Sequence, residues 1–131
     1  MKERNSRDEW LMEMRPKLDI ETTDAGEMER FQSITLRPIL KFQNTALLLV
    51  LKNYLIERKK TFKAFNQSVQ KRMVSDYIQN DHTFRRELVQ LIVANFTESE
   101  LKFYFQNRSE SSKRIVQMMI ERFNNQLERL V

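Results

Sequence analysis

The chain has no cysteine, one histidine, one glycine and two prolines in 131 residues. Without cysteine there is no disulfide, no thiolate nucleophile and no sulfur ligand. A single histidine cannot build the usual zinc or iron site. Between Leu36 and Val131 stand one proline, Pro38, and no glycine. Gly and Pro punctuate turns and strand ends, so their scarcity leaves helices joined by short polar connections. Long apolar runs are missing too. The longest, Ala46–Leu51, lies between Lys41 and Lys52, far short of the about 20 residues that cross a bilayer. The first nine residues are charged and contain no apolar stretch of the kind a secretory signal needs. These absences point to a cytoplasmic protein with no membrane contact and no cofactor, and away from an enzyme.

What is present fits one helical domain. Apolar residues make up 40% and charged residues 31%, and a chain of this size can bury roughly two-thirds of its unfolded surface. The net charge of +5 is unevenly spread. Residues 1–30 carry six basic and nine acidic groups, hence −3. Residues 31–75 carry nine basic groups and one acidic, hence +8, and the remainder balances eight against eight. An acidic arm therefore precedes a basic middle, and the arm is expected to dock over Arg58–Arg72 and shield it.

The expected organisation is an arm over residues 1–23 and an all-α bundle of five or six helices over residues 24–131. Pro16 forbids a helix running straight through the arm. A turn or two of helix near Asp8–Met14 should pack Trp10 against the body, and the ends of this poorly ordered or loosely docked arm should be the least ordered part of the chain. Asp24 and Glu27 have capping-box spacing, with Met28, Phe31 and Ile34 following at helical intervals. Pro38 then predicts a break or sharp kink, and an apolar helix from about 38 to 58 forms the bundle's centre. Its Leu47–Leu51 stretch is apolar on every side and needs other helices around it. A helix over 61–78 should bury Phe62, Phe65, Val69, Met73 and Tyr77. Asn80-Asp81 ends it and caps a successor whose core face is Phe84, Leu88, Leu91 and Ile92. Thr97-Glu-Ser-Glu100 fits the capping box of a short helix carrying Leu101, Tyr104 and Phe105. The last helix starts at Ser109 and turns Ile115, Val116, Met119, Ile120, Phe123, Leu127 and Leu130 inward.

Chemistry-bearing residues are few. Arg58, Lys59, Lys60, Lys63, Lys71 and Arg72 form a basic region that suits anions or nucleic acid, with affinity falling steeply with salt. The plainer account is a solvated face: Arg58–Lys60 answer a helix macrodipole, and the other three spread round a polar face. Residues 82–123 also run helix, short helix, turn, helix. In a helix-turn-helix, Ser111, Lys113, Arg114 and Gln117 would open the recognition helix. The turn Asn107-Arg108-Ser109 lacks the glycine often found there. His82 beside Asp81 reads as a surface residue. Glu98/Glu100 and Glu121/Glu128 read as a helix start and an exposed face. The seven methionines read first as core filling, then as an adaptable partner surface. The triplets at Asn66, Asn95 and Asn107 read as helix-end chemistry, not glycosylation acceptors.

The stretches Glu29–Asn44 and Phe96–Leu101, with Asn107-Arg-Ser, Ser112-Lys-Arg-Ile and Glu121-Arg-Phe, resemble a group of small all-helical proteins from flavobacteria and their relatives. The resemblance spans most of residues 28–123. Members are of unknown function and some carry a glyoxalase label. It implies a helical fold and assigns no catalytic residue. The function expected first is a non-enzymatic interaction module with a protein partner or a second copy of itself. Nucleic-acid binding through residues 58–72 or the last helix comes second, and a glyoxalase-like lyase third.

Overall fold

A computed structural model of the chain describes residues 6–18, 26–58 and 61–131. Among them are seven helices and no strand. They are α1 (Arg7–Met14), α2 (Glu27–Phe42), α3 (Asn44–Glu57), α4 (Gln67–Asn80), α5 (His82–Val93), α6 (Glu98–Gln106) and α7 (Arg108–Asn124). Short 3₁₀ turns at Phe62–Ala64 and Leu127–Leu130 complete the chain. The architecture is the expected all-α bundle, six helices with α1 hydrogen-bonded to it through Arg7 and Asp8. The expected cap at Asp24 and the cations Lys59 and Lys60 lie outside the described residues.

Helix ends follow local chemistry. Asn66 accepts from the Val69 N–H and Asp81 from the Phe84 N–H, each satisfying an early donor of its helix. Thr97 and Glu100 form the full capping box. Asn95 and Asn107 donate their side-chain amides to Leu91 and Phe103 carbonyls, so all three glycosylation-like triplets sit at helix ends.

Pro38 does not break the chain. Residues Gln32–Leu36 widen into a π-helical turn in which the Arg37 N–H reaches the Gln32 carbonyl. The wider turn carries the helix on through a residue without an N–H, and Pro38 is buried inside α2. The bend falls instead at Gln43, where the axes of α2 and α3 differ by 64°. The apolar helix is thus 44–57, and residues 38–42 belong to its predecessor.

Leu47, Leu48 and Leu51 are almost wholly buried, as a helix apolar all round demands. The outward side of α3 is nevertheless open: Leu49 is 61% exposed and Ile56 64%. The next segment also shifts. Its helix begins at Gln67, leaving Phe62 buried in the 3₁₀ turn and Phe65 exposed. The buried stripe is Gln70, Val74 and Ile78, one residue round from the expected Val69, Met73 and Tyr77, which lie half-buried beside it. The apolar arc of this helix is wide enough for either register, and the packing of α4 on α5 and α7 selects Val74 and Ile78. The core faces of α5 and α7 lie where expected, with Leu88, Ile92, Ile115 and Met119 fully buried; Phe105 of α6 points to solvent.

Candidate functional site

Among the described residues, the arm makes its contacts away from Arg58, Lys63, Lys71 and Arg72. Its described part packs at the α5–α6 junction, because its polar side chains meet the backbone groups left free there. Arg7 donates to the carbonyls of Phe96 and Ala94, and Asp8 accepts from the Glu98 N–H at the start of α6. Arg15 is buried against Glu100, and Thr35 of α2 donates to the same carboxylate at 2.5 Å. Burial pushes the Glu100 carboxyl up, but the hydrogen bonds from Arg15, Thr35 and Thr97 outweigh it and hold the group below its ordinary value. Trp10, expected to anchor the arm, is 52% exposed.

Some of the basic residues are engaged within the fold. Arg58 stacks on the Tyr54 ring, 3.6 Å from its centroid, and its guanidinium lies 3.0 Å from Asp81. Asp81 also accepts from the Tyr54 hydroxyl at 2.8 Å. Burial, then this hydrogen bond, pushes the Tyr54 hydroxyl up to about 12. The Asp81 carboxyl is held low, first by the Phe84 N–H and then by Tyr54 and Arg58. Tyr54 stacks in turn on Phe84 with centroids 3.7 Å apart. Arg58 thus ties α3 to α5. Arg114 is committed too, hydrogen-bonded to Gln32 and close to Glu29 and Glu110. Lys63, Lys71, Arg72 and Lys113 remain exposed, on three different elements. In the helix-turn-helix reading, Ser111 would open the recognition helix, but it is fully buried and cannot reach a base edge. His82 is exposed at the start of α5, and no three His, Cys, Asp or Glu side chains converge among the described residues.

An apolar concavity lies beside Lys63. A cleft of about 580 Å³ opens between the end of α3, the Phe62–Ala64 turn and the C-terminal turn. Leu55, Ile56, Phe62, Ala64, Leu130 and Val131 make its walls, and Lys52 and Lys63 stand at its edge. Both 3₁₀ turns bring apolar residues to the same end of α3. Leu49, one full heptad before Ile56, is also exposed on α3 and lines a separate hollow with Asn53, Tyr54 and Phe84. Leu49, Ile56 and Val131 were absent from the sequence-derived site. The readable signal was the heptad spacing of Leu49 and Ile56, opposite Leu47 and Leu51. Their pairing with the C-terminus is tertiary and has no local signal.

No single helix among the described residues is long and apolar enough to cross a membrane. No family model, curated protein or solved structure matches the chain.

Proposed function

We propose that the protein is a non-enzymatic interaction module that self-associates head to tail, α1 of one copy entering the apolar cleft of the next. The carrying observation is the open apolar cleft at the end of α3, where Ile56 is exposed beside Leu55, Phe62 and Leu130. Charge selects the occupant. Lys52 and Lys63 edge the cleft, and α1 exposes Trp10 and Met14 on a helix that also carries Glu9 and Glu13. Tryptophan is a favoured anchor of buried interface centres. Donor and acceptor surfaces differ, so the contact is heterologous and leads to rings or filaments.

Complementation tests this on the full chain. By light scattering, wild type should exceed its 15.9 kDa monomer mass in a concentration-dependent way, while Trp10→Ala and Ile56→Asp should each remain monomeric. Mixed one to one, the two variants should form a heterodimer and nothing larger, because each keeps one intact half. A monomeric wild type overturns the proposal, as does a mixture that stays monomeric. Tight retention on heparin at physiological salt, unchanged by Ile56→Asp, would put nucleic-acid binding in its place.

A further inference from the structure

A second cleft, of about 400 Å³, lies between the π-helical turn of α2 and the second half of α7. It differs from the first in being polar. Gln32, Ser33 and Arg37 contribute from α2, and Glu121, Arg122 and Asn125 from the α7 side. The π turn makes this wall. With more than four residues per turn, Gln32 and Arg37 come onto one face, where a regular helix would turn them apart. Such turns recur at functional sites.

The two arginines are the unusual part. Arg37 is exposed, and its side chain makes no hydrogen bond or ion pair with the described residues. Arg122 is half-buried, and its Nε donates to Asn44 at 3.0 Å, fixing the guanidinium. Its terminal nitrogens have no partner among the described residues. Desolvation pushes the Arg122 group below its ordinary value, so an anion brought to it gains more than at a fully hydrated cation. Buried Leu40 and half-buried Met118 line the same cleft and lower the local dielectric. Two guanidinium forks with free donors match an oxyanion with three acceptor oxygens better than a carboxylate with two. Glu121 repels a bare polyanion but accepts from hydroxyl groups, and Ser33 and Asn125 offer further polar contacts of that kind.

We infer that this cleft binds a small hydroxylated phosphate monoester, its phosphate between Arg37 and Arg122 and its hydroxyl-bearing body toward Glu121, Ser33 and Asn125. The site is separate from the apolar cleft and does not depend on self-association.

Ribose 5-phosphate, ribose and inorganic phosphate serve as probes, titrated into the full chain and followed by amide NMR shifts. Ribose 5-phosphate should move signals of residues 32–37 and 118–125 with a dissociation constant of about 1 mM or tighter. Inorganic phosphate should bind at least roughly tenfold more weakly, a difference of about 1.4 kcal/mol, and ribose should not bind. Arg37→Ala, which removes no side-chain hydrogen bond or ion pair with the described residues, should weaken ribose 5-phosphate at least roughly tenfold with unchanged thermal stability. Glu121→Gln should narrow the gap between ribose 5-phosphate and inorganic phosphate. Absent or scattered shifts would overturn the inference, as would binding indifferent to Arg37→Ala. Equal affinity for phosphate with and without the sugar would refute the hydroxylated ligand.

Discussion

Arg15 and Glu100, 85 residues apart in sequence, meet as a bidentate pair, with Nη1 2.9 Å and Nη2 2.8 Å from the two carboxylate oxygens. Their side chains are only 6% and 14% exposed. The same carboxylate closes the Thr97 capping box and accepts from Thr35. One group therefore joins the arm, α2 and α6.

Removing the cation should strand that carboxylate. Arg15→Ala is expected to cost about 3 kcal/mol, the lower end of the range for breaking a buried pair. Urea unfolding measures the loss, and limited proteolysis should show faster cutting in the arm. A loss below about 1 kcal/mol would mean the pair is solvated and contributes like a surface bridge.

Acid should act through the same residue. The Glu100 carboxyl is held below its unfolded value of about 4.5 by Arg15, Thr35 and Thr97, against the upward push of burial. With the folded value below the unfolded one, the unfolded chain binds more protons between the two, so stability rises with pH there. The contribution is complete above about pH 4.5 and disappears as pH falls through the folded value. Asp81 is displaced in the same direction and adds to the slope. Urea midpoints from neutral pH downward should fall more steeply for wild type than for Glu100→Gln. Parallel curves would show that Glu100 does not titrate in this way.

At the start of α6, Thr97→Ala should destabilise by about 1 kcal/mol, because the Glu100 N–H loses its side-chain acceptor. Thr97→Ser keeps the hydroxyl and should recover most of the loss. Equal stability of all three proteins would reduce the cap to geometry without energetic weight.

Much of this molecule can be read along the chain because its signals are local. Thr97 and Glu100, Asp81 and Phe84, and Asn66 and Val69 are each three residues apart, and their bonds follow from helix geometry alone. Reading failed where a local rule met a tertiary alternative. Pro38 ordinarily ends a helix, but a π turn upstream absorbs it, and nothing in Gln32–Leu36 announces that turn. Trp10 looked like the arm's anchor, yet buried Arg15 does that work, since its partner lies in α6. The basic region was visible as charge. That Arg58 and Arg114 are already engaged, while Arg37 and Arg122 stay open to a cleft, depends on which helices adjoin.

Two leucines on α3, Leu49 and Leu51, should separate folding from association. Leu51 is fully buried, and Leu51→Ala should cost about 2–5 kcal/mol, the range for a buried leucine whose cavity cannot collapse. Leu49 is 61% exposed, and Leu49→Ala should change monomer stability by less than about 0.5 kcal/mol, as surface substitutions do. Association reverses the order. If the exposed face of α3 that carries Leu49 and Ile56 covers a neighbouring copy, Leu49→Ala should weaken self-association measurably while leaving the urea midpoint of dilute protein unchanged. Leu51→Ala should shift that midpoint and affect association only by unfolding the chain. Equal destabilisation by both substitutions at dilute concentration would mean that α3 is buried on every side, and the docking face would go with it.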